Sequence, residues 1–451
     1  MEIAENKEYT ITIDAVSSDG NGVGHIDGFA VFVPMTVTGD TARIIITKLK
    51  KHYAYGKALE IIEPSPRRAN TECPHYENCG GCQLRHIRYD CQLEIKKEII
   101  ENAMRRIGGF EGFCLDGITG MESPVRYRNK TVFQIGEDSG EVLCGFYTQQ
   151  SHHITPVEDC LIGSELNSQI NKVVINYMNV CNIAPYNERT HKGVIRRIFT
   201  RKSFSTGEIM VVISVNSNRL TRTENLIKGL RSITDKITSI ILNVNTKRNT
   251  SLLGQRNITL WGKNSIRDTL CGIEFEISPE SFFQVNPLQT EKLYSKAIEY
   301  AGIDKNMTVM DIYCGIGTIS LCAAKKAGKV IGIEIVERAI EDAKQNAERN
   351  SISNAEFYAD SAENIVPKLL AKGLKPNVII LDPPRKGSDE TTLGSIINAR
   401  PERIVYVSCD SATLARDARL IADNGYRITK AHGFDLFPHT IHAETVVLFE
   451  R

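Results

Sequence analysis

Val309-Met310-Asp311-Ile312-Tyr313-Cys314-Gly315-Ile316-Gly317-Thr318 is the stretch on which the fold turns. A short apolar run, Val309–Ile312, has the length and composition of a buried strand, and it breaks at Gly-x-Gly into a helical pattern over 317–327. The alternation continues downstream. Strands are expected at Val330–Ile335, Glu356–Tyr358, Val378–Leu381 and Ile404–Val407, with helices at 336–350, 361–372, 389–398 and 411–424. Two further strands, near Arg427–Ala431 and Thr445–Glu450, close the pattern. Upstream, Asn286-Pro287 offers an N-cap followed by Pro at the first helical position, which predicts a helix to about Tyr300. Apolar strands alternating with helices predict an α/β, doubly wound parallel sheet, and such sheets bind ligands beyond the carboxyl ends of their strands.

The residues at those strand ends are informative. Gly315 and Gly317 let a ligand approach the backbone closely. The third Gly of a dinucleotide fingerprint would fall at Ser320, and no Gly-Lys-Ser/Thr follows, so a P-loop is excluded. Asp311 precedes the glycines, Glu334 closes the second strand and Asp360 the third. Acids in that register suit S-adenosylmethionine, with Glu334 placed for the ribose hydroxyls and Asp360 near the adenine. The fourth strand ends in Asp382-Pro383-Pro384-Arg385, where the prolines hold the Asp rigidly. Arg385, standing where an aromatic residue would stack on an exocyclic amine, argues against amino-group methylation. Cys409 follows the fifth strand and precedes a helix, whose N-terminal dipole is expected to lower its thiol pKa against the opposing charge of Asp410. Cys314, inside the glycine loop, reads as packing. Glu444, at the start of the last strand, can reach the same cleft.

At 451 residues the chain has room for two to four domains. With 41% hydrophobic and 24% charged residues it reads as globular. Lys plus Arg number 55 against 54 acids, so a globally basic coat is excluded and nucleic-acid contact must use local patches. No run approaches a membrane span. The start, Met1 to Glu8, lacks a secretory pattern, and twelve Cys then point to a reducing cytoplasm. Residues 8–62 read as a small antiparallel barrel of split charge. Residues 1–40 hold one Lys and seven acids, whereas 41–70 hold seven cations against Glu60 and Glu63, interleaved with Tyr53 and Tyr55. An RNA-binding face and a solvated face are equally compatible with that pattern. Val194–Lys202 carries four cations and no acid, and is expected to be an exposed strand face. Cys73-x5-Cys79-x2-Cys82 is a tight thiol group that wants a metal and a fourth ligand, either Cys91 or Cys160. Tetrahedral sulfur suits zinc and iron–sulfur alike. Cys114, Cys144, Cys181, Cys271 and Cys322 are expected in the core.

Tyr313-Cys314-Gly315-Ile316-Gly317-Thr318, Asp382-Pro383-Pro384-Arg385, Ser408-Cys409-Asp410 and His442-Ala443-Glu444-Thr445 stand in the order seen in RNA uracil-C5 methyltransferases. Phe282-Phe283-Gln284-Val285-Asn286-Pro287 resembles a further motif of theirs, and Gly20-Asn21-Gly22-Val23-Gly24, Val31-Phe32-Val33-Pro34 and Tyr53-Ala54 resemble a TRAM domain. Over essentially its whole length the chain resembles the bacterial 23S ribosomal RNA (uracil-5-)-methyltransferase branch. The resemblance implies three parts: an OB-like TRAM β-barrel binding RNA over 1–62, a central α+β RNA-binding domain with a 4Fe-4S cluster over 63–270, and a Rossmann-like S-adenosylmethionine-dependent catalytic domain over 271–451. The helix near 90–108 is expected to pack on the last of these.

By the same resemblance Cys409 is the nucleophile and Glu444 the base, while Gln284, Tyr313, Glu334 and Asp382 contact the cofactor, Asp382 also touching the uracil. The cluster ligands it implies are Cys73, Cys79, Cys82 and Cys160, with zinc the second choice of metal. The chain departs from the common pattern at Tyr313, where Phe is usual, and at Thr318, where Asn is frequent. The implied substrate is a uridine of 23S rRNA, converted to 5-methyluridine in the cytoplasm; tRNA is the second substrate. A non-catalytic RNA-binding protein is disfavoured because Cys409 and Glu444 are both present. The chemistry explains that pair. Uracil C5 is a poor nucleophile until a thiolate adds at C6, and the C5 proton must then leave before the thiol can be eliminated. The donors that stabilise O4 are not identified by the sequence.

Overall fold

Beyond Asn286, apolar strands separated by amphipathic helices supply seven of the eight strands of one sheet in the computed structural model, which describes residues 3–149, 151–248 and 251–451. The strand order is Ala355–Ala359, Lys329–Glu334, Thr308–Ile312, Val378–Leu381, Arg403–Ser408, Glu444–Glu450, Arg427–Phe434 and Ile118–Thr119. The first five run parallel. Glu444–Glu450 inserts antiparallel between Arg403–Ser408 and Arg427–Phe434. Val378–Leu381 is buried at every position, because apolar clusters cover both faces of the sheet. The expected helix after Asn286 spans Pro287–Ala301, with the Asn286 side chain accepting from the Gln289 N–H. The helix after the glycine loop is shorter than expected, Thr318–Ala324, since Gly317 sits at φ +84° and cannot be its first turn. The second strand stops at Glu334, which leaves Ile335 71% exposed at the strand end.

The central part is a seven-stranded sheet in the order Arg256–Gly262, Ile237–Val244, Ile209–Val215, Ile195–Lys202, Lys130–Asp138, Glu141–Tyr147 and Ile154–Pro156. Helices Leu166–Cys181 and Thr223–Arg231 cover one face. On the other face Phe199, Met210, Val212 and Ile241 join the core of the catalytic sheet. This corrects the expectation of an exposed strand at 194–202. Ile195–Lys202 is a middle strand, and Arg196, Arg197 and Arg201 are buried. Their guanidinium groups donate to backbone carbonyls: Arg196 to Asn245, Arg197 to Ser251 and Arg201 to Ser278 and Ser281. A buried guanidinium is tolerated where such acceptors replace water. A hairpin, Ile266–Leu270 with Ile273–Ile277, packs into the catalytic core and spans the position expected to divide the two parts, between 270 and 271.

Residues 8–63 close into a five-stranded barrel with Ile11, Ile13, Val31, Val33, Ile44 and Ile46 inside. All parts of the chain meet at residues 435–441. One face of helix Tyr89–Arg106 supplies three polar side chains to this segment. The Tyr89 hydroxyl donates to Asp435 Oδ2 at 2.9 Å, Lys96 Nζ to Asp435 Oδ1 at 2.6 Å and to the Phe437 carbonyl at 3.1 Å, and Gln92 Oε1 accepts from His439 N–H at 3.1 Å. The cysteine-bearing segment adds Gln83 N–H and Leu84 N–H on the His439 carbonyl. From the barrel, Gly20 lies so close to Ile441 that a Cβ there would come within 2.8 Å of its side chain.

Candidate active site

The register of the sheet brings the expected catalytic pair together. Ser408 pairs with Thr445, so the next residues outward, Cys409 and Glu444, stand side by side at the carboxyl end of the parallel strands. Asp382 lies at the end of the adjoining strand Val378–Leu381, where Pro383 and Pro384 withdraw two backbone donors. Burial pushes the Cys409 thiol up to about 12, and the Glu444 and Asp382 carboxylates add to that shift, while Arg385 opposes it. The expected lowering by the helix dipole is overturned, because desolvation and two carboxylates outweigh a helix terminus. Asp410 instead caps helix Ser411–Asp423, its Oδ1 accepting from Ala412 N–H and Thr413 N–H.

The floor of the cleft is acidic and largely buried. Glu444 is 3% exposed, and its Oε2 finds no hydrogen-bond donor among the described residues. Burial, then Asp382, hold its carboxyl well above the usual range, against Arg385. Burial likewise raises Asp382. Asp311 is raised to about 7 by burial; Ser320 Oγ donates to its Oδ2 at 2.5 Å, and its Oδ1 is left without a partner among the described residues. Above this floor sits a cation. Arg385 Nη2 lies 3.4 Å from His442 Nε2, and burial, Arg385, Lys96 and Arg128 together drive the His442 pKa down to about 4.

The other expected cofactor positions occupy the same end of the sheet. Glu334 is held at the glycine loop, Oε2 accepting from Gly315 N–H at 3.3 Å and Oε1 from Val336 N–H at 3.0 Å. Nothing lies within 4 Å of where a Gly315 Cβ would be, so the space over this loop is open. Gln284 is buried, and its carbonyl accepts from Asn129 Nδ2 at 2.8 Å. Tyr313 has φ +66° and shares a hydrogen bond with Ser388 Oγ at 2.9 Å. Asp360 is turned to its own helix, accepting from Ser361 N–H and Asn364 Nδ2. Cys314 is buried as expected. Arg201 and Asn129 have no role in the sequence reading, yet both hold the segment that carries Gln284. Their signal is weak, since a buried arginine bonded to carbonyls reads like an exposed one in sequence.

Of the cysteines, the structure groups Cys73, Cys79, Cys82 and Cys160 and sets Cys91 apart in a small apolar core with Val37, Leu84 and Ile87. Burial raises the Cys79 thiol to about 11, with Cys82, Cys160 and Cys73 adding to the shift. Burial also raises Cys82, against Arg85, and Cys160, against N–H donors from Ile162 and Gly163. Among the described residues, no group of three or more His, Cys, Asp or Glu side chains is placed to hold a metal ion, so the expected metal site is not shown here. Cys114, expected in the core, is exposed. On the barrel, Phe32, Tyr53 and Tyr55 form a ring cluster with centroids 5.5–5.9 Å apart, beside the exposed Lys50, Lys51 and Lys57.

Among the described residues no helix is long and apolar enough to cross a membrane. The profile of the tRNA (Uracil-5-)-methyltransferase family matches residues 88–451, and that of the TRAM domain residues 4–59. An uncharacterized RNA methyltransferase of Clostridium acetobutylicum is 44% identical over 100% of this chain and 98% of its own length. One from Caldanaerobacter subterraneus is 44% identical over 99% and 98%. The crystal structure of Pyrococcus abyssi tRNA (uracil-54, C5)-methyltransferase in complex with S-adenosyl-L-homocysteine superposes with a TM-score of 0.79, at 28% identity, over 98% of this chain and 99% of that one. The chain therefore belongs to the tRNA (uracil-5-)-methyltransferase family, with a TRAM domain at its N-terminal end.

Proposed function

We propose that this chain transfers a methyl group from S-adenosylmethionine to C5 of a uridine in 23S ribosomal RNA in the cytoplasm. The observation that carries the reading is the placement of Cys409 beside Glu444 across adjacent strands, with Asp382 next to them in a partly buried cleft. The residues fit the cofactor. Glu334 is presented at an open glycine loop, Ile335 and Val336 offer exposed apolar surface next to it, and the unpartnered Asp311 Oδ1 belongs to an acidic floor that favours a cation. S-adenosylmethionine, when bound, supplies an electrophilic methyl group on a positive sulfonium. Gln284, Tyr313, Glu334 and Asp382 would hold it, with Asp360 further along the sheet edge.

The protein's own steps follow from the electrostatics. In the free cleft the Cys409 thiol keeps its proton, because burial disfavours the thiolate and two neighbouring carboxylates add to that. A cation bound nearby lowers the cost of the thiolate. The Cys409 thiol releases its proton to solvent as the cleft fills, the sulfur then bonds to uracil C6, and the ring's electron density moves to C5 and O4. After C5 has gained its methyl group, the Glu444 carboxylate takes the C5 proton, the C5–C6 double bond reforms and the sulfur leaves. A buried base with a raised pKa suits this proton transfer near neutral pH. The target uridine must leave its stack to reach Cys409.

For the central part, bounded as 63–270, we propose that Cys73, Cys79, Cys82 and Cys160 hold a 4Fe-4S cluster. Mutual electrostatic influence of the four thiols, N–H donors on Cys160, and a buried Arg85 Nε without an acceptor support a negatively charged group there. The preference for a 4Fe-4S cluster over zinc rests on the resemblance alone, since four sulfur ligands suit both. The cluster's role is structural. The TRAM barrel over 1–62 would bind RNA through its rings and lysines.

The test is transfer of labelled methyl groups from S-adenosylmethionine to unmodified 23S rRNA and tRNA, offered separately. Label in 23S rRNA, recovered as 5-methyluridine, is the expected result. Label in tRNA alone would move the substrate to the second reading, and label in neither would overturn the proposal.

A further inference from the structure

The acidic floor of the cleft has a cationic counterpart that the methylation chemistry does not use. Lys130 opens the strand Lys130–Asp138 and pairs directly with Arg201 on the neighbouring antiparallel strand. Paired residues project from the same face, and like charges placed directly opposite destabilise a sheet. Arg128, two residues earlier, adds a third cation close enough to act on Lys130. No direct ion pair offsets this group: among the described residues the salt bridges include none of Arg128, Lys130, Arg201 or Lys202, and the Glu280 and Asp268 carboxylates act only on Arg201, from farther away. Arg201 Nη1 and Nη2 donate to the Ser278 and Ser281 carbonyls, and both Arg201 Nε and Arg128 Nε are buried with no acceptor among the described residues. Burial, Arg201 and Arg128 all push the Lys130 amine the same way, down to about 8.

The location of this group gives it meaning. Asn129, between Arg128 and Lys130, donates its backbone N–H to Val285 and its Nδ2 to Gln284, so the strand start touches the segment at the cofactor end of the cleft. Arg128 also acts on His442, two residues from Glu444. The cations thus stand at the seam between the central sheet and the catalytic sheet, near His442 and outside the acidic floor of the cleft. Partly desolvated cations without a direct ion-pair partner, beside a cleft that must admit a polyanion, favour an anionic oxygen.

We propose that Arg128 and Lys130 form a phosphodiester-binding site that grips the RNA backbone next to the nucleotide entering the cleft. The inference rests on the chain acting on RNA, and it adds where the backbone is held. Lys130 makes the direct contact. Arg201 holds the Ser278–Ser281 turn in place behind it. A phosphate oxygen here would neutralise the opposed pair and give Arg128 Nε its missing acceptor.

The test measures binding without methyl transfer, so that it can fail independently of the catalytic reading. A 15-nucleotide single-stranded oligouridine is titrated with wild-type protein, Lys130→Gln and Lys130→Arg across a range of KCl concentrations, and S-adenosylhomocysteine binding is measured on the same samples. Each phosphate contact contributes roughly 0.7 to the slope of log affinity against log salt for a single strand. Lys130→Gln is expected to reduce the slope by about that amount, with affinity falling roughly 5- to 20-fold at low salt, while Lys130→Arg keeps the slope. S-adenosylhomocysteine affinity should stay unchanged in both. An unaltered slope in Lys130→Gln, or no salt dependence in the wild type, overturns the proposal. Loss of S-adenosylhomocysteine affinity with an intact slope also overturns it, and assigns the cation to the cofactor's carboxylate instead. Thermal melting of each variant separates these outcomes from misfolding.

Discussion

Two groups of sulfur in this molecule live in opposite electrostatic company. Cys409 is surrounded by carboxylates: Glu444 and Asp382 raise its thiol further after burial has done most of the work, and Arg385 opposes them. Cys82 has Arg85 and Arg128 as its countering neighbours, and Cys160 receives backbone N–H groups. A thiol that must bond to carbon and then leave again is served by a setting in which the free thiolate is not the resting state. A thiol that must stay ionised against a bound cation needs donors built around it. Under the two proposed roles, the same side chain would be committed to transient or permanent bonding by the charges beside it.

The sharpest way to break that contrast is Cys409→Ala. Methyl transfer should fall by a factor on the order of 10³ or more, read as 5-methyluridine by mass spectrometry, with no denaturant-resistant RNA–protein species. Glu444→Gln should slow turnover by roughly 10²- to 10⁴-fold while that covalent species accumulates, because the sulfur bonds but cannot be expelled. Slow turnover without accumulation would move the base elsewhere.

For the second sulfur group, Cys82→Ala and Cys160→Ala should each lose most of the iron and acid-labile sulfide of anaerobically purified protein, whereas Cys91→Ala should keep both. Equal metal content in all three variants would dissolve the comparison.

The smallest effect concerns the floor itself. Asp311 is held at about 7 in the folded chain against an ordinary value near 4 in the unfolded one, so the folded state binds the extra proton between those values. Stability therefore falls as pH rises from about 4 to about 7 and stays lowered above. Asp311→Asn should melt higher than wild type at pH 8, by a difference on the order of 2 kcal/mol, and the gap should close near pH 4.

Much of this is legible in the sequence because it depends on local pattern. The strand-end residues Asp311, Glu334, Asp382, Cys409 and Glu444 fall where alternation of strand and helix must place them, and their convergence follows from sheet order. What is not legible depends on packing between distant segments. The four cations of 194–202 look solvated when only their neighbours in sequence are considered, yet Ile195–Lys202 lies mid-sheet and its arginines bracket carbonyls of other loops. The direction of the Cys409 shift escapes a reading of the sequence for the same reason. A helix terminus is visible there, whereas the depth of burial and two carboxylates from other strands are not. Spacing cannot tell Cys160 from Cys91, and only the tertiary fold separates them.

The meeting point at 435–441 limits how this chain can be divided. Asp435 is fully buried and has Lys96 as its counter-charge, contributed from more than three hundred residues earlier. A gene fragment starting near residue 266 would retain every proposed catalytic side chain, but it would forfeit the sheet's eighth strand and maroon one acid in an apolar interior. Separate expression of the C-terminal portion should therefore yield aggregates rather than a minimal enzyme, and recombination between relatives should succeed only when both ends of the chain come from the same parent.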